Sequence, residues 1–166
     1  LVVTRTDATG SDAWIELVAP AESATTRIAQ GGDPAWLSAG LIVYACKDPA
    51  KDLGGICSVD PGKPSSARLL TAEGGDRAAP SPDGRSIAVH RGTVDVGETW
   101  IMAADGSGSR LLSAGAFMEW SPDGAWLLGQ PQAEGFQVAV VRIDGTDGGP
   151  QVLATGYDPA WSPGGD

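Results

Sequence analysis

The chain has 166 residues, the size of one ordinary domain, and 42% of them are hydrophobic, which is enough to bury a core. Eleven basic residues stand against 21 acidic ones, giving a net charge of −10 with no basic cluster. This charge argues against nucleic acid or an anionic membrane surface as a partner. We attribute the acidic excess to solubility. No apolar run approaches the ~20 residues that a bilayer-spanning helix needs, which argues against membrane insertion.

The 24 glycines and 12 prolines predict short strands joined by tight turns rather than long helices. In chain order, apolar segments predict strands in four successive units. The first unit, about 1–40, has strands at 1–6, 13–18 and 26–29. The second, about 41–84, has strands at 41–46, 55–59 and 67–70. The third, about 85–124, has strands at 85–90, 99–103, 109–112 and 115–120. The fourth, about 125–166, has strands at 125–130, 137–143, 151–154 and 158–161.

A Trp-Ser-Pro-Asp-Gly motif at 120–124 recurs in altered form along the whole chain. Further copies lie at 80–84, 161–165 and, more degraded, at 36–40. The first position of the motif is therefore held by Trp36, Pro80, Trp120 and Trp161, at spacings of 44, 40 and 41 residues. In the turn itself, proline presets one corner and glycine accepts the strained position. We expect the turns to be formed by the following residues: Asp83, Gly84, Asp123 and Gly124.

Four short antiparallel strands in about 41 residues are typical of a β-propeller blade. The sequence therefore predicts an all-β protein, with residues 1–166 forming one propeller domain or propeller fragment of four four-stranded repeats. The ring could close if the last segment, 157–161, paired with the first unit. Alternatively, the chain forms part of a larger propeller or completes a ring with other copies. Open ends would expose strand edges and favour self-association.

Five of the six tryptophans fall into two groups by their place in the repeat. Trp36, Trp120 and Trp161 hold the first motif position, so we expect them to pack between blades. Trp14 and Trp126 depart most from the repeat, and we expect these two to be the more exposed. Exposed tryptophans on one loop face would be the requirement for stacking on a carbohydrate.

The two cysteines, Cys46 and Cys57, end one predicted strand and begin the next, with a loop between them. They face each other across one hairpin, near the separation that a disulfide needs. A disulfide is the favoured interpretation and would indicate an oxidising compartment. Two reduced, half-buried thiols are the alternative. Zinc is disfavoured, because two cysteines and one distant histidine cannot complete a tetrahedral site.

Among the remaining polar residues, Asp33, Asp76 and Asp158 each lie three or four residues before the first motif position. In a propeller this segment enters the innermost strand beside the central channel. Three carboxylates at a channel mouth could bind a ligand or a calcium ion, while the alternative is that each aspartate caps a turn. His90, the single histidine, closes a predicted strand, and we interpret it as solvated or hydrogen-bonded. No Gly-x-Ser-x-Gly motif accompanies it.

The repeat resembles that of the TolB-like β-propellers, relatives of the WD-type repeats. The resemblance rests on Trp-Ser-Pro-Asp-Gly at 120–124, on 81–88, on 99–106 and on Arg-Leu-Leu at 110–112, and it covers essentially the whole chain. The departures are Pro80 in the tryptophan position, the degraded turn at 37–40 and Gly164 in the aspartate position. They affect local turn geometry rather than the fold. The family usually has six or more blades, whereas four repeats occur here.

The resemblance implies a non-enzymatic scaffold that binds a protein, or a ligand, through its channel mouth and loop face outside the bacterial cytoplasm. The loops that differ most between repeats are 7–12, 47–55, 91–98 and 131–135. One alternative is the accessory propeller of a serine peptidase similar to the prolyl oligopeptidases. Another is a metal- or sugar-binding propeller. No cofactor is otherwise expected.

Overall fold

The computed structural model describes residues 1–6, 12–19, 21, 24–38, 40–48, 53–93, 97–132 and 135–164. Regular structure in these ranges is entirely β. The strands are β1 (Val2–Thr6), β2 (Ala13–Ala19), β3 (Ala24–Gln30), β4 (Gly32–Trp36), β5 (Ile42–Asp48), β6 (Leu53–Asp60), β7 (Lys63–Thr71), β8 (Arg77–Pro80), β9 (Ser86–Gly92), β10 (Gly97–Ala103), β11 (Arg110–Trp120), β12 (Trp126–Pro131), β13 (Gln137–Arg142) and β14 (Gln151–Thr155). Nowhere in these ranges is there a helix that could span a membrane.

The chain divides into two compact units, Leu1–Ala78 and Ala79–Asp166. The first unit holds a three-stranded sheet, β1-β2-β3, and a four-stranded sheet, β4-β5-β6-β7, and the strand pairs in both are antiparallel. Side chains from the two sheets share one core. Its buried members are Ile15, Ile28, Ile42, Tyr44, Cys46, Cys57 and Val59. Burial also raises the pKa of the Tyr44 phenol above its usual value.

The second unit is built on a seven-stranded sheet in the order β14-β13-β12-β11-β10-β9-β8. Its core centres on Phe117, Leu127 and Val141, each of them fully buried. The sheet is this wide because β11 is one continuous strand. Residues 110–114 of β11 pair with β10, and residues 115–120 pair with β12. The sequence predicted two separate strands at 109–112 and 115–120, and this prediction was wrong.

Gly115 explains why β11 can pass from one partner to the next without a break. Its φ is +112°, a conformation that residues with a Cβ rarely adopt. The Thr99 hydroxyl fixes the crossing point, because it donates to the Gly115 carbonyl at 2.7 Å and accepts from the Phe117 N–H at 2.9 Å. Thr99 is fully buried, so both hydrogen bonds are shielded from water.

The first sheet contains the three strands predicted at 1–6, 13–18 and 26–29, as β1, β2 and β3. One further strand prediction differs from the structure. The predicted strand at 158–161 is irregular, and within the described residues it pairs with no strand.

The Ser-Pro-Asp-Gly turns form the same hydrogen-bond network at 81–86 and at 121–126. The serine hydroxyl donates to the aspartate two residues on, at 2.6 Å in both turns, and accepts from the N–H five residues on. These bonds, with a backbone N–H as second donor, lower the pKa of Asp83 and Asp123 below the usual value. The turn residues therefore take the geometry that the motif predicts, and both Gly84 and Gly124 have positive φ.

A β-bulge recurs in four hairpins, and its position allows the residues of the four repeats to be aligned. A bulge interrupts the pairing of β2 with β3 at Ile15/Glu16 and of β6 with β7 at Ile56/Cys57. The same shift occurs in the pairing of β10 with β11 at Thr99/Trp100 and of β13 with β14 at Val138/Ala139. Residues at the same distance from these bulges are equivalent positions, although the sequences at them differ.

Candidate functional site

The predicted recognition loops lie partly outside the described residues. Residues 7–11, 49–52, 94–96 and 133–134 belong to the four variable loops and are among those that the structure leaves undescribed. The loop face therefore stays a prediction. The candidate surfaces below are built from the described residues alone.

Asp33 and Asp158 are the two non-glycine residues with positive φ in the described ranges, at 48° and 51°. Each begins the tetrapeptide Asp-Pro-Ala-Trp, at 33–36 and at 158–161. The Asp33 N–H donates to the Thr4 hydroxyl at 3.1 Å. A left-handed aspartate is strained by about 1 kcal/mol, so the shared conformation marks these two segments as equivalent parts of the repeat.

The three predicted carboxylates are divided between the two units. Asp33 and Asp76 lie in the first unit, whereas Asp158 lies in the second, and the site that they would form at a channel mouth stays a prediction. Among the described residues, no group of three or more histidine, cysteine, aspartate or glutamate side chains is placed to hold a metal ion. Calcium binding by these carboxylates therefore gains no support from the geometry and stays a prediction.

The tryptophans of the motif link one repeat to the next through their indole N–H groups. The Trp120 Nε1 donates to the Ala79 carbonyl at 2.8 Å, and the Trp161 Nε1 donates to the Glu119 carbonyl at 3.0 Å. Each acceptor lies one residue before the first motif position of the preceding repeat, which is Pro80 for Ala79 and Trp120 for Glu119. Pro80 itself has no indole N–H, so it cannot form the corresponding hydrogen bond.

Trp36 is the exception among the motif tryptophans. It is 46% exposed, although its place in the motif led us to expect packing between blades. No hydrogen bond of its indole is found within the described ranges, unlike the indoles of Trp120 and Trp161.

Trp14 and Trp126, the two tryptophans expected to be most exposed, are half-buried. Each is covered by an arginine from a neighbouring strand. The Arg27 guanidinium lies 5.1 Å from the Trp14 ring centroid, and that of Arg142 lies 5.4 Å from the Trp126 ring centroid. Cation–π stacking of this kind stabilises by about 0.5–1 kcal/mol at exposed sites. Sugar stacking on these two rings would require the arginines to move.

A second recurring feature is a diagonal pair of side chains across two middle strands, which we call the clamp position. It joins Arg5 to Glu16 in the first repeat, at 2.8 Å between Nε and Oε2. It joins Cys46 to Cys57 in the second, as a disulfide with Cα atoms 5.8 Å apart. In the third repeat, the Arg91 guanidinium lies 4.2 Å from the Trp100 ring centroid. Three different interactions therefore occupy one equivalent position.

The strand register explains the clamp and refines the expected cysteine geometry. The residues directly opposite Arg5, Cys46 and Arg91 are Trp14, Gly55 and Glu98. In each repeat the clamp partner lies two residues further along that strand. Cys46 and Cys57 are therefore diagonal neighbours and not the directly facing pair that the hairpin suggested.

Loss of the disulfide provides a first test of the clamp. We expect Cys46→Ala/Cys57→Ala to lower the free energy of unfolding by about 2–3 kcal/mol, because the bond closes a loop with a sequence separation of 11 in the unfolded chain. Denaturant unfolding with and without reductant measures the change. Reductant should lower the stability of the unaltered protein by a similar amount and leave the variant unchanged. An equal response of both proteins to reductant would contradict this role.

His90 is buried, with an exposed fraction of 6%. Its imidazole packs so closely on Gly97 that a Cβ at that glycine would overlap the ring. The side chain therefore belongs to the packing of β9 against β10, where it lies opposite the buried Thr99. A solvated histidine, one of the two interpretations offered by the sequence, does not describe this environment.

The largest exposed apolar side chains of the second unit gather at β14, the edge strand of its sheet. Val152 and Leu153 on β14 are 56% and 61% exposed, and Phe136 and Tyr157, which precede β13 and follow β14, are 68% and 71% exposed. The two aromatic rings meet edge to face, with centroids 6.0 Å apart. The Gly156 N–H donates to the Phe136 carbonyl at 2.8 Å and holds the two segments together. We call these four residues the β14 edge surface.

Comparison with known proteins gives relatives by structure alone. No protein-family model matches the chain, and no curated protein matches it in sequence. TolB from Acinetobacter baumannii superposes with a TM-score of 0.71 at 16% identity, covering 99% of this chain and 44% of that one. A putative TolB from Agrobacterium tumefaciens gives a TM-score of 0.63 at 17% identity, covering 96% and 62%.

Enzymes also occur among the neighbours, including an oligogalacturonate lyase in complex with manganese, with a TM-score of 0.59 at 16% identity, covering 91% of this chain and 44% of that one. The β-propeller domain of the Trilobed protease from Pyrococcus furiosus gives a TM-score of 0.53 at 18% identity, covering 78% of this chain and 43% of that one. The chain thus spans about half the length of the proteins it resembles. At these identities the likeness shows the fold alone, and the chain has an all-β, antiparallel architecture of the β-propeller type.

Proposed function

We propose that the chain is a non-enzymatic β-propeller scaffold that binds a protein partner. The β14 edge surface carries this proposal, because its four large apolar side chains are exposed on, or next to the ends of, a strand at the end of its sheet. Exposed apolar groups concentrated in one place mark interaction surfaces. The aromatic pair supplies rigid area that loses little conformational entropy on binding.

The open edge of β14 adds backbone hydrogen bonding to the apolar contact. A strand at the end of a sheet presents unpaired N–H and C=O groups, and an extended peptide can pair with them. Alternate side chains of such a peptide would then contact Val152 or Leu153. The expected partner is therefore a protein with an extended apolar segment, and the net charge of −10 favours basic flanks on that segment.

A photo-crosslinking experiment tests this surface. A benzoyl-phenylalanine in place of Phe136 keeps an aromatic ring there, and irradiation in an extract of the source cells should give a discrete adduct with one protein. The same group at Leu111 is the matched control, because Leu111 is an exposed apolar residue equivalent to Val152 in the preceding repeat. Val152→Lys/Leu153→Lys should remove the adduct at 136. Adducts of equal yield at both positions, or an adduct that survives both lysines, would contradict the proposal.

The alternative, an accessory propeller of a serine peptidase, is supported by the fold of the Trilobed protease domain. In that case the partner crosslinked at 136 would be a hydrolase domain. We also propose an extracytoplasmic location in a bacterium. It is supported by the Cys46–Cys57 disulfide, which persists in oxidising compartments, and by the resemblance to TolB-like proteins.

A further inference from the structure

We propose that Asp147–Gly148 is a site of spontaneous modification, at which the aspartate converts to isoaspartate through a succinimide. The chain contains five Asp-Gly pairs, at 83–84, 105–106, 123–124, 144–145 and 147–148, and no asparagine. Isoaspartate can therefore arise only from aspartate, most readily before a glycine, whose nitrogen is not shielded by a side chain. The site is independent of the proposed function.

The reaction uses two neighbouring groups, the aspartate carboxyl and the N–H of the next residue. The glycine nitrogen attacks Cγ of the protonated carboxyl, the N–H proton and the carboxyl hydroxyl leave as water, and a five-membered imide forms. Water then opens the imide. Cleavage between the nitrogen and Cγ restores aspartate, whereas cleavage between the nitrogen and the main-chain carbonyl carbon gives isoaspartate. Hydrogen bonds that hold the N–H or the carboxyl elsewhere must break first and therefore slow the reaction.

The glycine N–H is held by a backbone hydrogen bond in four of the five turns. It donates to the carbonyl three residues earlier, at 2.8–3.1 Å, in the turns of Gly84, Gly106, Gly124 and Gly145. Gly148 differs, because no hydrogen bond of its N–H is found within the described ranges. Gly148 is also exposed, so water can reach the imide. Its nitrogen is therefore the one that can attack without first losing a hydrogen bond.

The carboxyl groups show the same contrast. In the other four turns, Oδ1 accepts from the backbone N–H two residues on and from a nearby hydroxyl, as at Asp83, Asp105, Asp123 and Asp144. The Thr146 N–H and hydroxyl lower the pKa of Asp144 to about 2, which keeps that carboxyl in the unreactive ionised form. Within the described ranges, Asp147 accepts one hydrogen bond, from Gln151 Nε2 to Oδ2 at 3.2 Å, and its Oδ1 has no partner. The Asp147 carboxyl is therefore the least restrained of the five.

Conversion would act on the start of β14, three residues after Gly148. Isoaspartate carries the main chain through its side-chain carbon, so the backbone gains a methylene and the carboxylate that accepts from Gln151 moves. Gln151 is the first residue of β14 and pairs with Val140 of β13. We expect the change to loosen the pairing of β14 with β13, and with it the β14 edge surface.

Incubation of the protein at neutral pH and physiological temperature tests the site. Methyl transfer by an isoaspartyl methyltransferase counts the modified residues, and fragmentation mass spectrometry locates them. Isoaspartate should appear at Asp147, and at least about tenfold more slowly at the other four Asp-Gly pairs. In urea the turns unfold, and the five rates should become similar. Equal rates in the folded protein, or a preference for Asp147 that persists in urea, would overturn the proposal.

Matched alanine variants separate the reaction from a general loosening of the turns. Gly148→Ala places a methyl group beside the attacking nitrogen and should suppress isoaspartate at Asp147, whereas Gly145→Ala should leave its rate unchanged. The two glycines have similar positive φ, +78° and +71°, and a Cβ at either meets no atom within 4 Å, so both variants carry similar backbone strain. An unchanged rate in Gly148→Ala, or equal suppression in both variants, would refute the site.

Amide hydrogen exchange tests the effect on β14. The β14 amides should exchange faster in fully converted protein than in fresh protein, while those of β10 should be unchanged. Equal exchange of the β14 amides before and after conversion would refute this effect.

Discussion

Replacing Gly115 with alanine is expected to lower the free energy of unfolding by about 3–5 kcal/mol. Two unfavourable contributions to the free energy of folding, backbone strain and steric overlap, add at this site. The backbone φ of +112° is nearly restricted to glycine. A Cβ would also lie 2.7 Å from the Pro131 Cα and 2.8 Å from the Gln132 nitrogen, both of them backbone atoms. Since β11 changes partners here, relaxation of the backbone would disturb its pairing with β12.

Gly108→Ala is the matched control for this prediction. Gly108 also has positive φ, at +66°, but a Cβ there meets no atom within 4 Å. Its substitution should therefore cost only the left-handed backbone strain, about 1–2 kcal/mol. Denaturant unfolding of the two variants separates the costs. Equal losses would mean that the crossing of β11 tolerates a side chain, and the account of Gly115 would fail.

Replacing both Arg5 and Arg27 with methionine is expected to destabilise the protein by about 3–5 kcal/mol, whereas Glu16→Met should cost less than about 1 kcal/mol. The asymmetry follows from burial. The Glu16 side chain is 5% exposed, and its arginine partners are 58% and 62% exposed. Removing the arginines leaves the buried Glu16 carboxylate without its charged partners. Removing the carboxylate lets two surface arginines turn to water.

A triple variant with methionine at positions 5, 16 and 27 completes a thermodynamic cycle with the double arginine variant, the Glu16 variant and the unaltered protein. It should recover most of the stability that the double arginine variant loses, because no buried charge then lacks a partner. Thermal unfolding at one pH and salt concentration is sufficient to compare the four proteins. If Glu16→Met were as damaging as the double arginine variant, the network would act by packing rather than by charge compensation.

Much of the architecture could be predicted from the sequence because it rests on local signals. The Ser-Pro-Asp-Gly turns form through contacts between residues at most five apart, as at 81–86. The period of these turns predicted short strands and an antiparallel β fold. The cysteines were placed in one hairpin for the same reason, since Cys46 and Cys57 are only 11 residues apart.

The features that the sequence did not predict depend on which strand pairs with which. The continuity of β11 depends on β10 and β12 pairing with its two halves, and glycine alone does not reveal such a crossing. The exposure of Trp36 differs from that of the other motif tryptophans although the motif position is the same, so it depends on the surrounding strands and not on the motif. The clamp position joins residues of unlike chemistry, so no sequence repeat marks it. The bulge register, which only the folded structure shows, was the signal needed to find it.

The interaction at the clamp position differs between three repeats, so a change in salt or reductant affects each of them differently. Added salt should weaken the Arg5–Glu16 pair, since its arginine is largely exposed. A thiol reductant acts on the Cys46–Cys57 pair alone, because the chain has no other cysteine. The Arg91–Trp100 stack contains no thiol and does not respond to reductant, and its indole also donates to the Glu98 carboxylate at 2.9 Å. Salt and reductant therefore act on the clamp positions of different repeats, so the contribution of each clamp can be weakened separately by the choice of buffer, without any mutation.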